Sequence, residues 1–282
     1  MTTPPSSVAT APSANDIPVQ DWQGQAIDCG HCPHQVLRAQ GGCVPGRACV
    51  QDAYARRIDR FFRHHPQRAV EHLRHPYFEV RAIAARYVDP FHLPTLLHDP
   101  DETVRLQVAL RLPLARLTEL ITDPHREVRI RVAQRLETDL LPRLLQDPDY
   151  EVRVTVARRI APTWLWKLAH DPDLQVRCVV AQRMAMPALL GLAQDPAPEV
   201  RRILAERLPP HLLTPLAQDP DWLVRHAVAG RTSGSTLTRL LLDPEPDVRA
   251  RAEERQRELG ATAVRALSRP PCPQEVLHEP RD

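Results

Sequence analysis

Residues 123–146 read DPHREVRIRVAQRLETDLLPRLLQ, and residues 147–170 read DPDYEVRVTVARRIAPTWLWKLAH. Aligned, the two stretches share Asp-Pro at positions 1 and 2, Val-Arg at 6 and 7, Val-Ala at 10 and 11, Arg at 13, and Leu at 19 and 22. Outward from here the period holds. Asp-Pro recurs every 24 residues at Asp99, Asp123, Asp147, Asp171, Asp195, Asp219 and Asp243, and Val-Arg runs from Val80-Arg81 to Val248-Arg249. Self-similarity at a fixed short period marks a solenoid, whose units cannot bury their apolar faces alone.

Asp followed by Pro predicts a helix start, with the carboxylate accepting orphan N–H groups and Pro at the first helical position. Acidic residues such as Glu127 and Glu151 follow and suit the positive end of the helix dipole. Apolar positions 6, 10, 11 and 14 share one helical face, which predicts an α-helix over positions 2 to about 14. Recurrent prolines (Pro90, Pro94, Pro113, Pro142, Pro162, Pro187, Pro209, Pro210) and Leu at 19 and 22 then predict a short 3₁₀ segment. The expected fold is an all-α solenoid over residues 75–266, eight repeats in all. Its last repeat turns polar at Ala252 and Glu253 and so closes the stack. A runner-up is a compact HEAT-like array, which usually has a longer repeat.

Arg at positions 7 and 13 predicts ladders in which each guanidinium ties to a neighbouring repeat's Asp or to free carbonyls at helix ends. Lys167 is the sole lysine among 37 basic side chains, which fits planar, bidentate pairing.

Ahead of the repeats, Cys29, Cys32, Cys43 and Cys49 give the spacing C-x2-C-x10-C-x5-C, with Gly30, Gly41, Gly42 and Gly46 between them. The start of the chain, rich in Pro, Ser, Thr and Ala, lacks the basic and apolar regions of a signal peptide, and no run of 18 apolar residues exists. A cytoplasmic protein without a membrane span is therefore expected, in which clustered cysteines are metal ligands rather than disulfides. Spacing leaves a Cys₄ zinc site and an iron–sulfur cluster both open, and His31 or His34 could replace one thiolate.

The recurrent Asp-Pro, Val-Arg, Val-Ala, Arg-Leu and paired Leu resemble the leucine-rich-repeat variant family. That resemblance implies a right-handed superhelix alternating α- and 3₁₀-helices. It also implies an N-terminal 4Fe-4S cluster on Cys29, Cys32, Cys43 and Cys49, directly before the repeats. The family is similar to proteins found in nitrogen-fixing bacteria. The resulting domain reading is a disordered tail over 1–24, a cysteine module with capping helix over 25–74, the solenoid over 75–266, and a Pro-rich tail over 267–282. Cys178 is expected in the core, and Cys272 as a free thiol in that tail.

For function, a net charge of +2 is too small to argue for nucleic acid. Phosphate loops, dinucleotide glycine motifs and nucleophile elbows are missing, so a non-enzymatic chain is expected. Position 4 varies through Phe78, Glu102, Arg126, Tyr150, Leu174, Pro198 and Trp222, and with Trp164 and Trp166 suits a protein partner. Residues 56–75 form a basic island, Arg56, Arg57, Arg60, Arg63, Arg68 and Arg74 with four histidines. The leading expectation is a protein-interaction scaffold carrying a structural or redox-sensing cluster. The alternatives are an electron-transfer or redox-sensor protein, and nucleic-acid binding through the basic island.

Overall fold

Each repeat turns on its Asp-Pro corner. The position-1 carboxylate accepts the N–H of position 3, as in Asp101 N to Asp99 Oδ1 (3.0 Å) and His125 N to Asp123 Oδ1 (2.8 Å). This is an Asx turn, and Pro fixes its second residue. The N-cap therefore falls at position 3, in extended backbone. Where position 3 is Asp, it caps the helix: Asp101 accepts from Thr103, Asp149 from Glu151, Asp173 from Gln175 and Asp221 from Leu223. The helices begin two residues later than the Asp-Pro reading predicts, because the first carboxylate is used elsewhere.

The computed structural model describes residues 17–267. In chain order the α-helices are α1 (Gln35–Ala39), α2 (Ala55–His64), α3 (Phe78–Tyr87), α4 (Glu102–Arg111), α5 (Arg126–Arg135), α6 (Tyr150–Arg159), α7 (Leu174–Arg183), α8 (Pro198–Arg207), α9 (Trp222–Ala229), α10 (Gly234–Leu240) and α11 (Pro246–Leu267). Between them run 3₁₀ segments at Pro66–His72, Pro90–Leu96, Leu114–Leu120, Leu141–Leu144, Pro162–Leu168, Ala188–Leu192, Pro210–Leu212 and Pro215–Gln218. Among the described residues there is no strand, only an isolated β-bridge between Val44 and Ala48. No described helix is long and apolar enough to cross a membrane.

The chain divides into two compact units, Met1–Val156 and Ala157–Asp282. Within the first unit the core is the periodic apolar set: Val128, Val132, Ala133, Leu136 and Leu141 are all fully buried. The second unit repeats it with Val176, Val180, Ala181, Leu189 and Leu192. Cys178 is half-buried rather than in the core, and Cys272 and the tail after residue 267 lie outside the described residues.

Both arginine ladders form. In the first unit the position-7 guanidiniums of Arg81, Arg105 and Arg129 reach 18 residues ahead to Asp99, Asp123 and Asp147. In the second, Arg177, Arg201 and Arg225 reach Asp195, Asp219 and Asp243. Each contact is bidentate through Nε and Nη2, for example 2.8 and 3.0 Å for Arg129. The remaining Nη1 binds the carbonyls of its own repeat's Asp and Pro (2.8 and 3.2 Å for Arg129). One guanidinium thus ties its own corner to the next. Position-13 arginines cap the preceding helix: Arg111 donates to the carbonyls of Ala85 and Val88, Arg135 to Ala109 and Leu112, Arg207 to Ala181 and Met184. These carbonyls have no partner inside a helix end.

The ends depart from the pattern. In the seventh repeat the second segment is α10, an α-helix that starts at Gly234 (φ +60°) where other repeats have Pro-led 3₁₀ turns. The eighth repeat is not an α/3₁₀ unit: α11 runs unbroken for 22 residues, since no proline interrupts Arg249 to Leu267. Arg249 keeps its bonds to the Asp243 and Pro244 carbonyls, but the residue 18 ahead is Leu267. At the other end, α2 and Pro66–His72 form a further α/3₁₀ pair before the first expected repeat. Pro66–His72 lies 24 residues ahead of Pro90–Leu96 and matches it in length.

Removing one partner of a buried ion pair strands the other charge, at a cost of about 3–5 kcal/mol. Asp147→Ala is expected to lower the unfolding free energy from denaturant titration by that amount, whereas Glu119→Ala, which breaks the exposed Arg116 pair, should leave it nearly unchanged. Burial pushes the Asp219 and Asp243 carboxyls up, but Arg201 and Arg225 with the amides of Asp221 and Glu245 outweigh it and hold both below the usual carboxylate range. Their contribution is complete above the unfolded-state pKa and is lost as pH falls through the lower folded one. Thermal stability of the second unit should be flat near neutrality and decline below about pH 4.

Candidate iron–sulfur site

The cysteine loop is shaped by short-range bonds. Asp28 accepts the N–H groups of Gly30 (2.7 Å) and His31 (3.4 Å) and the His31 ring N–H (2.6 Å), drawing the backbone from Cys29 to Cys32 into a tight turn. The pairing with the His31 side chain lowers the Asp28 pKa and raises that of His31, both at an exposed position. A Cβ on Gly30 would stand 3.1 Å from Asp28 Oδ1, so the turn needs a small residue there. The Gln35 amide donates to the Gly30 carbonyl and joins the turn to α1.

The C-x5-C half is a closed turn. Val44 and Ala48 pair antiparallel, with N–H···O distances of 2.9 and 2.8 Å in the two directions, and Gly46 between them has φ +77°. This pairing brings the flanking Cys43 and Cys49 side by side, and their thiols hydrogen-bond each other. That bond lowers the Cys43 pKa and, with burial, raises that of Cys49. Gly42 packs against His65, whose ring N–H donates to the Gly42 carbonyl at 2.8 Å.

The four thiols converge. Cys32 lies within electrostatic reach of Cys49 and Cys29, and Cys43 within reach of Cys32 and Cys29. Cys43 and Cys49 are buried, while Cys29 and Cys32 are half-exposed. Sulfur of Cys32 accepts the N–H of His34, and sulfur of Cys49 accepts that of Gln51; burial is the larger influence on Cys32 and raises its pKa. A donor set of four thiols on one short loop fits an iron–sulfur cluster with one thiolate per corner.

His34 and His72 join this loop to the helical core. Position 22 is Leu96, Leu120 and Leu144 further along this unit, but His72 in the pair before them. Its Nε2 meets Nε2 of His34 at 2.8 Å, both rings are buried, and Phe61 and Phe62 surround them. Burial lowers both imidazoles, His72 to about 4, which favours an N–H···N bond between them over a pair of charged rings. The His34 ring is therefore committed to His72, and the His31 ring to Asp28, rather than replacing a thiolate. Glu71 approaches the pair but is held by Arg68 at 2.8 Å.

Residues 17–24, expected within a disordered tail, are part of this assembly. Arg57 is buried on Asp52 and donates to the carbonyls of Ile17 and Pro18 (2.8 and 2.9 Å), Ala53 N–H bonds the Gln20 carbonyl, and Trp22 stacks on Tyr77. Arg57 thus leaves the basic island for a structural post.

Comparisons with known proteins agree with this geometry. A family model described as the leucine-rich repeat variant protein FeS4 cluster matches residues 19–71. A leucine rich repeat variant model matches 78–101, 102–125 and 198–221. A solved structure described as a leucine-rich repeat variant with a novel repetitive protein structural motif is 45% identical, with a TM-score of 0.77, over 81% of this chain and 98% of its own. The chain belongs to the leucine-rich repeat variant family. A Rhodobacter capsulatus relative, an uncharacterized 27.7 kDa protein in the nifB 3′ region, is 52% identical over 95 residues, 34% of this chain and 39% of that protein. Its name gives a gene neighbourhood and no activity.

For this leucine-rich repeat variant chain, the FeS4 match runs to residue 71 and so includes α2 with the cysteine loop. It supports an iron–sulfur cluster and gives no support to zinc. His72→Leu restores the ladder residue and removes the tether. The chain should still fold, while iron release to a chelator becomes several-fold faster than in the native chain.

Proposed function

We propose that this chain is a non-enzymatic protein-interaction scaffold whose N-terminal module holds a 4Fe-4S cluster on Cys29, Cys32, Cys43 and Cys49. The observation that carries the reading is the convergence of four thiols on a loop whose second half is closed by the Val44–Ala48 pairing. Bound there, the cluster supplies four metal–sulfur links that fold a segment too short to build its own core. The His34–His72 contact then makes the module a cap on the helical stack.

A redox role is the second reading. The half-exposed Cys29 and Cys32 leave one side of the site close to solvent, as electron exchange with a partner requires. Side chains suited to a partner are present on the repeats of the second unit: Trp166 is 63% exposed, with Trp164 and Lys167 beside it. Nucleic-acid binding through residues 56–75 has less support, since Arg57 is buried and Arg63 and Arg68 are paired with Asp59 and Glu71.

Anaerobic purification with metal and sulfide analysis tests the cluster. About four irons and four sulfides per chain, falling in Cys49→Ser, are expected. One zinc per chain and no sulfide would overturn it.

A further inference from the structure

A cleft of about 680 Å³ opens between the cysteine loop and α2, lined among others by Gly42, Val44, Arg47, Arg60, Arg63 and His64. Three exposed guanidiniums meet there, and no carboxylate lines it. Asp59, the acid paired with Arg63 (2.6 Å), is shared with Arg86 (3.2 Å) and the Tyr87 hydroxyl (2.8 Å). Arg60 donates to the Arg47 carbonyl at 2.9 Å, a neutral acceptor, and among the described residues the Arg47 side chain has no bond or ion pair. The two charges of Arg47 and Arg60 are thus held at one opening without a counter-ion. Like charges fixed together repel, and an anionic ligand relieves that repulsion.

We infer that this cleft is the docking site for an acidic segment of a partner protein. The size and lining favour carboxylates on a peptide over nucleic acid. A duplex needs an extended stripe of phosphate contacts, and single strands stack on aromatic platforms; no Phe, Tyr or Trp lines this cleft. Its floor is Gly42, Val44 and Ala48, and Val44 and Ala48 are the residues next to Cys43 and Cys49. A segment seated here lies one residue from two of the four thiols. The inference deepens the interaction reading by naming a surface and the partner's chemistry, and it relies on that reading for the folded cysteine loop.

The test uses the full chain with its cluster and a fluorescein-labelled peptide of ten glutamates, followed by anisotropy. Binding that weakens as salt is raised, and about ten-fold in Arg47→Glu with iron content unchanged, is expected. Arg74→Glu, an exposed arginine of the same island outside the cleft, should bind as the native chain does. The assignment is overturned if the native chain ignores the peptide, if Arg47→Glu binds normally, if Arg74→Glu loses as much, or if a 20-nucleotide single-stranded DNA binds there more tightly. Iron and sulfide analysis of the same samples shows separately whether the cluster reading has failed.

Discussion

The structure depends on one side chain repeated: the position-7 arginine that grips the next repeat's aspartate with two nitrogens and its own corner's carbonyls with the third. Each such pair lies near 10% exposure on the arginine side and below that on the aspartate side, where an unpaired charge is costly. The ladder fixes the spacing between repeats, and the apolar set at positions 6, 10, 11, 14, 19 and 22 fills the space so defined. Lysine, a point charge without a planar fork, cannot make these contacts, and every ladder position described here is arginine.

The cysteine module meets this array through a substitution at one ladder position. His72 replaces a core leucine and turns a purely apolar seam into a place where the cluster loop can bond. Phe61 and Phe62, both fully buried, fill the space around the imidazole pair. The buried Arg57 draws in the backbone at Ile17 and Pro18. Cluster loop, N-terminal segment and first helical pair are therefore one assembly rather than a module followed by a linker.

Much of this was legible in the sequence because period carries the physics. The 24-residue clock, the α/3₁₀ alternation, the arginine ladders and the four cysteines all follow from residue type at fixed spacing. The helix starts were displaced because Asp-Pro looks like a cap when read alone. Only the neighbouring repeat's arginine shows that the first carboxylate is already in use. The C-x5-C spacing shows its meaning only in the fold, where the five residues form a turn closed by Val44 and Ala48 around Gly46. His72 was counted in a basic island, although the break in the position-22 leucine series was visible beside it. Arg57 could not be separated from its exposed neighbours without the fold. The unbroken α11 was foreshadowed by the absence of proline between Pro246 and Pro270.

Hydrogen–deuterium exchange on the cluster-loaded chain, before and after iron chelation, tests most directly whether the cysteine loop and the first helical pair share one core. The account predicts that loss of the cluster strips protection from Ala55–His72 as well as from the cysteine loop, while α4 and α5 keep theirs. Unchanged protection across Ala55–His72 would contradict it, and would make the cysteine loop an independent appendage of the solenoid.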